Sequence, residues 1–557
     1  MHDVIVVFML CGLMMVVAAP QAHAQADWVL HNAQIYTVND DQPEAEAMAI
    51  RGARILMVGS DQDVLATYSD ARRVDADGHT VVPGLIDAHV HLMGLAESLI
   101  QVDLVGTSSK QEIIERLEDF AQDLPDGAWL TGRGWDQNDW SEREFPTRQD
   151  LDAAFPDRPV WLTRIDGHAA WGNTAALEAV GMDRLQAMED PEGGSIRRAD
   201  DGTPTGVFID AAMGIVEQEV PDPSSSELDR ALDLALQETA RHGLTSVHEA
   251  GVDRSIVQRY QRFIDNGRFG LRVYAMIGGR GETFDHYCDA GPIHNYQNRL
   301  AVRSVKFYID GALGSRGAAL LDDYADDAGN RGLLLQQPGP FREDVRTAMS
   351  CGFQINSHAI GDRGNRIVLD AYEAAMDSLG ATIGRHRVEH AQILAPSDID
   401  RFAELDVIAS VQPTHATSDM YWAEDRLGSE RIEGAYAWRS LTDSGARLAL
   451  GSDFPVEQVN PLLGFYAAIT RQDAEQWPEG GWHPEERLTR REALRGFTLD
   501  AAYSAFQEDD LGSLEPGKLA DFVILSENIM EVRPPVILDT EVVATYLGGA
   551  LIYDGQE

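Results

Sequence analysis

Residues 81–92 read VVPGLIDAHVHL, an apolar run that passes Pro83 and Gly84 and ends on His89 and His91. Side chains two positions apart on a strand project to the same face, so both imidazoles can reach one ion. A His-x-His pair is weak evidence by itself in a chain with 16 histidines. Its setting repeats along the sequence, however. SVKFYIDG carries Lys306, INSHAIGD carries His358, RVEHAQ carries His390 and LGSDFP carries Asp453. Each residue ends a strand-like run, which is where a closed parallel barrel keeps its chemistry.

Working outward from these segments gives eight candidate buried strands: GLIDAHVHL, LTSVHEA, LRVYAMIG, VRSVKFYIDG, GFQINSHAIG, HRVEHAQ, VIASVQPTH and ARLALGSDFP. Helical patterns separate most of them. SELDRALDLALQETARHG has Ser226 placed to cap it, and PSDIDRFAELD starts behind Pro396. Strand alternating with helix predicts an α/β fold, a (β/α)8 TIM barrel over residues 83–505.

About 150 residues separate the first two strands, far more than between later ones. This stretch, residues 105–225, is read as an insertion, and Trp135, Trp140, Trp161 and Trp171 fall in it. Loops at that end of a barrel overhang the site, so the insertion is a candidate lid; the competing reading is an aromatic core of its own. Short strands and Gly, Asn and Asp turns fill residues 25–82, and residues 506–557 return to that texture. The two ends are expected to build one small β-sandwich together, since each alone has too few strands for a core.

Composition sets further bounds. With 557 residues, 44% hydrophobic, the chain can bury a large core. A net charge of −46 and a pI near 4.5 disfavour non-specific binding to nucleic acid or anionic lipid. The first 24 residues, with VIVVFMLCGLMMVVAAP and a small-x-small signal at Ala22 and Ala24, predict an export signal and a periplasmic protein; lacking Lys or Arg ahead of the apolar run, they leave a retained anchor open. Beyond them only Cys288 and Cys351 remain, too few for a disulfide framework, and no later segment reads as a membrane span.

The lysine is the sharpest of the candidate ligands. Only Lys110, Lys306 and Lys518 stand among 45 basic residues, so the chain writes arginine almost everywhere else. Guanidinium never deprotonates in a protein, whereas a buried ammonium can, and a neutral amine can capture carbon dioxide as a carbamate that bridges two cations. The simpler alternative is a barrel lysine paired with Asp310. Imidazoles suit divalent zinc and its neighbours, so His89, His91, His358 and His390 are expected to hold one or two ions, zinc first. Asp453 is expected to be both ligand and catalytic base, taking a proton from metal-activated water and passing it to a departing amine. A competing pattern, His386-Arg-Val-Glu389-His390, matches the H-x-x-E-H zinc motif and requires a helix over residues 383–394.

These residues in this order, with GRGWDQ, DGHAAWGN, DGTPTGV and EPGKLADFVIL, resemble the amidohydrolase superfamily, and within it the branch of N-substituted formamide deformylases. The resemblance implies a metal-dependent hydrolase that cleaves a C–N bond of a small substrate. It implies that His89, His91, Lys306, His358, His390 and Asp453 form the metal shell, and that Trp135, Arg164, Asp166 and His168 lie near the substrate. For His168 an interdomain hydrogen bond is an equal reading, and for Asp310 and Arg316 a structural role at the barrel mouth is favoured. The fold cannot choose among amides, esters and lactones. The aromatic insertion favours an N-acyl or N-formyl amine with an apolar group, with an ester or lactone as the nearest rival and a catalytically silent exported binding protein as the contrasting class.

Overall fold

The computed structural model describes residues 25–122, 124–125, 127–164, 169–191, 194–380 and 383–555. The expected export signal, Asp166 and His168 lie outside the described residues.

Eight parallel strands form the central sheet: β1 (Leu85–Val90), β2 (Leu244–Val252), β3 (Arg272–Gly278), β4 (Leu300–Tyr308), β5 (Gln354–Ala359), β6 (Arg387–His390), β7 (Ile408–Val411) and β8 (Leu448–Leu450). Each pairs with the next in chain order. Backbone bonds beyond the ends of β8 and β1 close the ring, Asp453 N–H donating to His89 O and His91 N–H to Phe454 O, both at 2.8 Å. Gly451 makes that closure feasible, because a Cβ there would stand 2.6 Å from Asp87 Oδ1 and 2.7 Å from His89 N. This is the TIM barrel expected from the alternating pattern.

Alternation along the strands sorts the side chains. On β4, Val305 and Phe307 pack outward into the large apolar core shared with the helices, while Ser304, Lys306 and Tyr308 take the opposite face. The helix Ser225–Arg241 is capped by Ser224 rather than by Ser226, since Glu227 completes a reciprocal capping box with Ser224. Pro396 opens its helix as expected.

Both termini do build one β-sandwich. Thr80–Pro83 pairs antiparallel with Phe522–Leu525 in a six-stranded sheet, which faces a four-stranded sheet made of N-terminal strands. Trp28, Ile35, Ile50, Val81, Phe522 and Ile524 fill the space between.

The insertion begins at Val102 and carries its own six-stranded sheet. Four of its five tryptophans are buried, Trp135, Trp140 and Trp171 in one apolar cluster and Trp161 in a second with Phe208, while Trp129 packs half-buried against the second. The core reading of these aromatics therefore holds over the lid-wall reading. Cys288 and Cys351 form a disulfide between two neighbouring barrel helices, a pairing the cysteine count alone left undecided. No helix of the described residues is long and apolar enough to cross a membrane.

His386, just ahead of β6, offers a pH probe away from the barrel mouth. It is buried with Nδ1 accepting from Ile355 N–H at 3.1 Å, and burial pushes its pKa down to about 4. The unfolded chain takes up this proton near pH 6.5, so stability is fully present above that pH and is lost as pH falls toward the folded value, by about 3 kcal/mol in all. Denaturation of His386→Asn and wild type at several pH values should show a flatter loss between pH 6.5 and 4 in the variant.

Candidate metal centre

The C-terminal ends of β1, β4, β5, β6 and β8 bring His89, His91, Lys306, His358, His390 and Asp453 together. His91 Nε2 lies 3.2 Å and His89 Nε2 3.6 Å from Asp453 Oδ1. The rings of His89 and His358 lie 4.8 and 4.5 Å from that of His390. Lys306 Nζ lies 3.0 Å from His89 Nε2. All six expected ligands thus share one pocket. His89 is fully buried at its floor, whereas the side chain of His91 is 35% exposed at its mouth.

Two of these residues hold strained backbone. His390 has φ +77° and Asp453 φ +65°, a region that costs non-glycine residues about 1–3 kcal/mol and clusters at functional sites. At His390 the turn brings the imidazole onto the same side as Glu389, where strict strand alternation would point it outward. Residues 387–390 are a strand, so the H-x-x-E-H helix is not formed; His386 faces β5 and is separated from the site.

Glu389 and Arg387 form the floor; the sequence marked Glu389 only as part of the H-x-x-E-H helix that is not formed, and Arg387 not at all. Glu389 accepts from His89 Nδ1, and Arg387 Nε meets its other oxygen at 2.8 Å. Both side chains are fully buried. Burial raises the Glu389 pKa, but Arg387, His89 and Lys306 outweigh it and hold the carboxyl well below its usual range. With its Nδ1 proton held by this carboxylate, His89 presents a lone pair on Nε2. His390 is oriented in the same sense: Gln412 Nε2 donates to Ser410 O at 3.3 Å, which turns Gln412 Oε1 toward His390 Nδ1 at 2.9 Å. Burial, reinforced by Lys306, holds His89 at about 4 and His358 at about 3, so both rings are neutral. Burial also opposes ionisation of Asp453, yet His91, His89 and His415 together keep its carboxyl below the normal range.

The donor set fits a divalent cation. His358 Nε2 is buried without a hydrogen-bond partner, and the lone pair of His89 Nε2 faces the positive end of Lys306, at the place where a cation would bind. His89, His91 and Asp453 group closely enough to share one ion, as do His390, His415 and Asp453. Replacing Glu389 with Gln should weaken metal binding about 10- to 100-fold, because the amide can present its nitrogen to His89 Nδ1 and no longer fixes the tautomer. Competition with a chromophoric chelator measures this directly.

Lys306 does not pair with Asp310. That carboxylate instead accepts from the backbone N–H groups of Ala319, Ile360 and Gly361 at 2.8–3.0 Å, tying the loops after β4 and β5 together. Arg316 meets Asp326, which also binds Arg426, so both residues brace the mouth. Of the expected substrate contacts, Trp135 is enclosed in the insertion's core with its indole donating to Leu162 O at 2.8 Å, and it has no surface left to offer. Arg164 donates to Gln137 at 2.9 Å and to Asp136 at 2.6 Å.

A (β/α)8 barrel whose strand ends converge imidazoles, a lysine and a carboxylate defines a hydrolase of the amidohydrolase class. The chain belongs to the amidohydrolase family, which it matches over residues 72–553. It is 37% identical to Protein LONG AFTER FAR-RED 3 of Arabidopsis thaliana, over 96% of this chain and 93% of that one. It is 28% identical to the N-substituted formamide deformylase of Arthrobacter pascens, over 95% and 98% of the two chains. The crystal structure of an uncharacterized metal-dependent hydrolase from Pyrococcus furiosus superposes with a TM-score of 0.75 at 28% identity, covering 90% of this chain and all of that one.

Proposed function

We propose that this amidohydrolase cleaves the C–N bond of an N-acyl or N-formyl amine, with zinc or a similar divalent ion held by His89, His91, His358, His390 and Asp453. The observation that carries this reading is the convergence of five ligand side chains with a buried, unpartnered His358 Nε2 among them. When bound, the ion supplies Lewis acidity, polarising the scissile carbonyl and lowering the pKa of water. Asp453, held ionised, takes the proton of the attacking water. It then delivers that proton to the nitrogen, which leaves as an amine rather than an amide anion. Lys306, with burial pushing its pKa down to about 8, supplies a neutral amine fraction near physiological pH that supports its carboxylation. Its register partner on β5, Asn356, buries both amide atoms unpaired and offers a donor to such a carbamate.

The rim supports an apolar substrate group. Tyr308, two residues beyond Lys306, is 40% exposed and packs 5.6 Å from His358, and Val456, three beyond Asp453, is 66% exposed. Export to an oxidising compartment is part of the same reading, supported by the Cys288–Cys351 bridge.

Turnover of N-formyl and N-acyl benzylamines and anilines, beside matched aryl esters and lactones, tests the reading. Amide or formamide cleavage that chelation abolishes and zinc restores is expected. Cleavage of esters alone, or cleavage indifferent to chelation, contradicts it.

A further inference from the structure

His415 is a buried imidazole at the site for which the proposed chemistry has as yet no use. It stands on the first turn of the helix Pro413–Asp419, directly beyond β7, and is 8% exposed. Its Nε2 is buried with no hydrogen-bond partner and faces Asp453 Oδ2 at 3.7 Å, too far for a hydrogen bond. Its ring lies nearly parallel to that of His390, with centroids 5.9 Å apart.

The two parallel rings are held by side-chain amides of opposite sense. Gln412 offers its oxygen to His390 Nδ1, which fixes the proton there and leaves Nε2 as a lone pair for a cation. Gln392 offers its nitrogen to His415 Nδ1 at 3.1 Å. An Nδ1 that accepts a hydrogen bond in a neutral ring places the ring proton on Nε2. That nitrogen cannot ligate a metal, but it can donate. Although His415 groups geometrically with His390 and Asp453 as a candidate ligand, its hydrogen bond sets it up for a different task.

We infer that His415 is a catalytic residue that donates its Nε2–H to the carbonyl oxygen of the substrate. This inference rests on the amide-hydrolase reading and extends it. When water oxygen bonds to the carbonyl carbon, the π pair moves to the carbonyl oxygen, and the His415 N–H···O bond strengthens with the charge. When the C–N bond breaks, that pair re-forms the C=O bond and the amine leaves with the proton held by Asp453. His415 keeps its own proton throughout. It acts as a preoriented donor, the kind of group whose removal affects the transition state more than the ground state.

The test uses metal-loaded His415→Ala, His415→Gln and Gln392→Glu, with N-formylbenzylamine and the other N-acyl amines as probes. Metal per chain and thermal melting are measured beside kcat and KM. His415→Ala should retain its metal and its melting temperature, keep KM within a few-fold, and lose about 10²- to 10³-fold in kcat. His415→Gln, whose amide nitrogen can donate, should recover part of that loss. Gln392→Glu should also lower kcat without lowering metal content, because the carboxylate draws the ring proton to Nδ1. Metal content that falls together with kcat in His415→Ala and His415→Gln would make His415 a ligand and overturn the inference. A kcat within a few-fold of wild type in both would also overturn it. Should the wild-type holoenzyme cleave none of these amides, the hydrolase reading itself fails, whatever the variants do.

Discussion

Asp453→Asn should lower kcat by about 10³-fold or more while the protein keeps its fold and its bound metal. The asparagine oxygen can still face the cation, and the carboxylate's contacts with His91 at 3.2 Å and His415 at 3.7 Å lie at the open end of the barrel, away from the apolar core. The variant removes the ability to take a proton from water and return it to nitrogen. The imidazoles around it matter here: burial opposes ionisation, but His91, His89 and His415 outweigh it, so the carboxylate stays ionised and ready to accept. KM should change little, and metal content should match wild type. A variant that loses activity only in proportion to lost metal would reduce Asp453 to a ligand.

The second large effect is on stability. Arg387→Met should cost about 3–5 kcal/mol in chemical denaturation, since it leaves the fully buried Glu389 carboxylate without its cation. The guanidinium also donates to Ala88 O and to Ser410 Oγ at 2.9 Å, so its loss frees acceptors on β1 and β7 as well. Removing both charges in Arg387→Met with Glu389→Gln should recover part of the loss, because no buried charge then stands alone. That recovery separates the ion pair from simple packing. Stability within about 0.5 kcal/mol of wild type in the single variant would remove the floor from the account.

Much of the site was legible because its residues follow local rules. His89 and His91 are two apart on a strand, and Lys306, His358, His390 and Asp453 each end a strand run that alternates or is wholly apolar. The rarity of lysine marked Lys306, and the position beside His89 gives that rarity a physical setting. Partnerships that depend on distant segments were not legible. Glu389 reads as part of a helical zinc motif until β6 places it against His89, which lies 300 residues earlier. The short strand-like run Ile408-Ala-Ser-Val411 precedes Gln412-Pro-Thr-His415, so the strand end was visible, but only Gln392 from the neighbouring segment gives His415 its orientation. The strand-end pattern that identified the other ligands, extended by one helical turn past Pro413, was the signal available for it.

The insertion shows the opposite limit. Four tryptophans near a barrel mouth suggest a substrate wall, yet composition says nothing about which way a ring faces. The local strands supply the answer: Trp135 lies 6.1 Å from Trp171 and 6.0 Å from Trp140, inside a sheet-and-helix core. Exposed apolar side chains instead sit beside the ligands themselves, at Tyr308 and Val456.

Metal per chain, measured by inductively coupled plasma mass spectrometry, decides whether this pocket is a catalytic metal centre. Protein purified without chelator should carry about one or two divalent ions, two of them if Lys306 is carboxylated and bridging. Protein that carries none, and takes up none from zinc or manganese, would contradict the account.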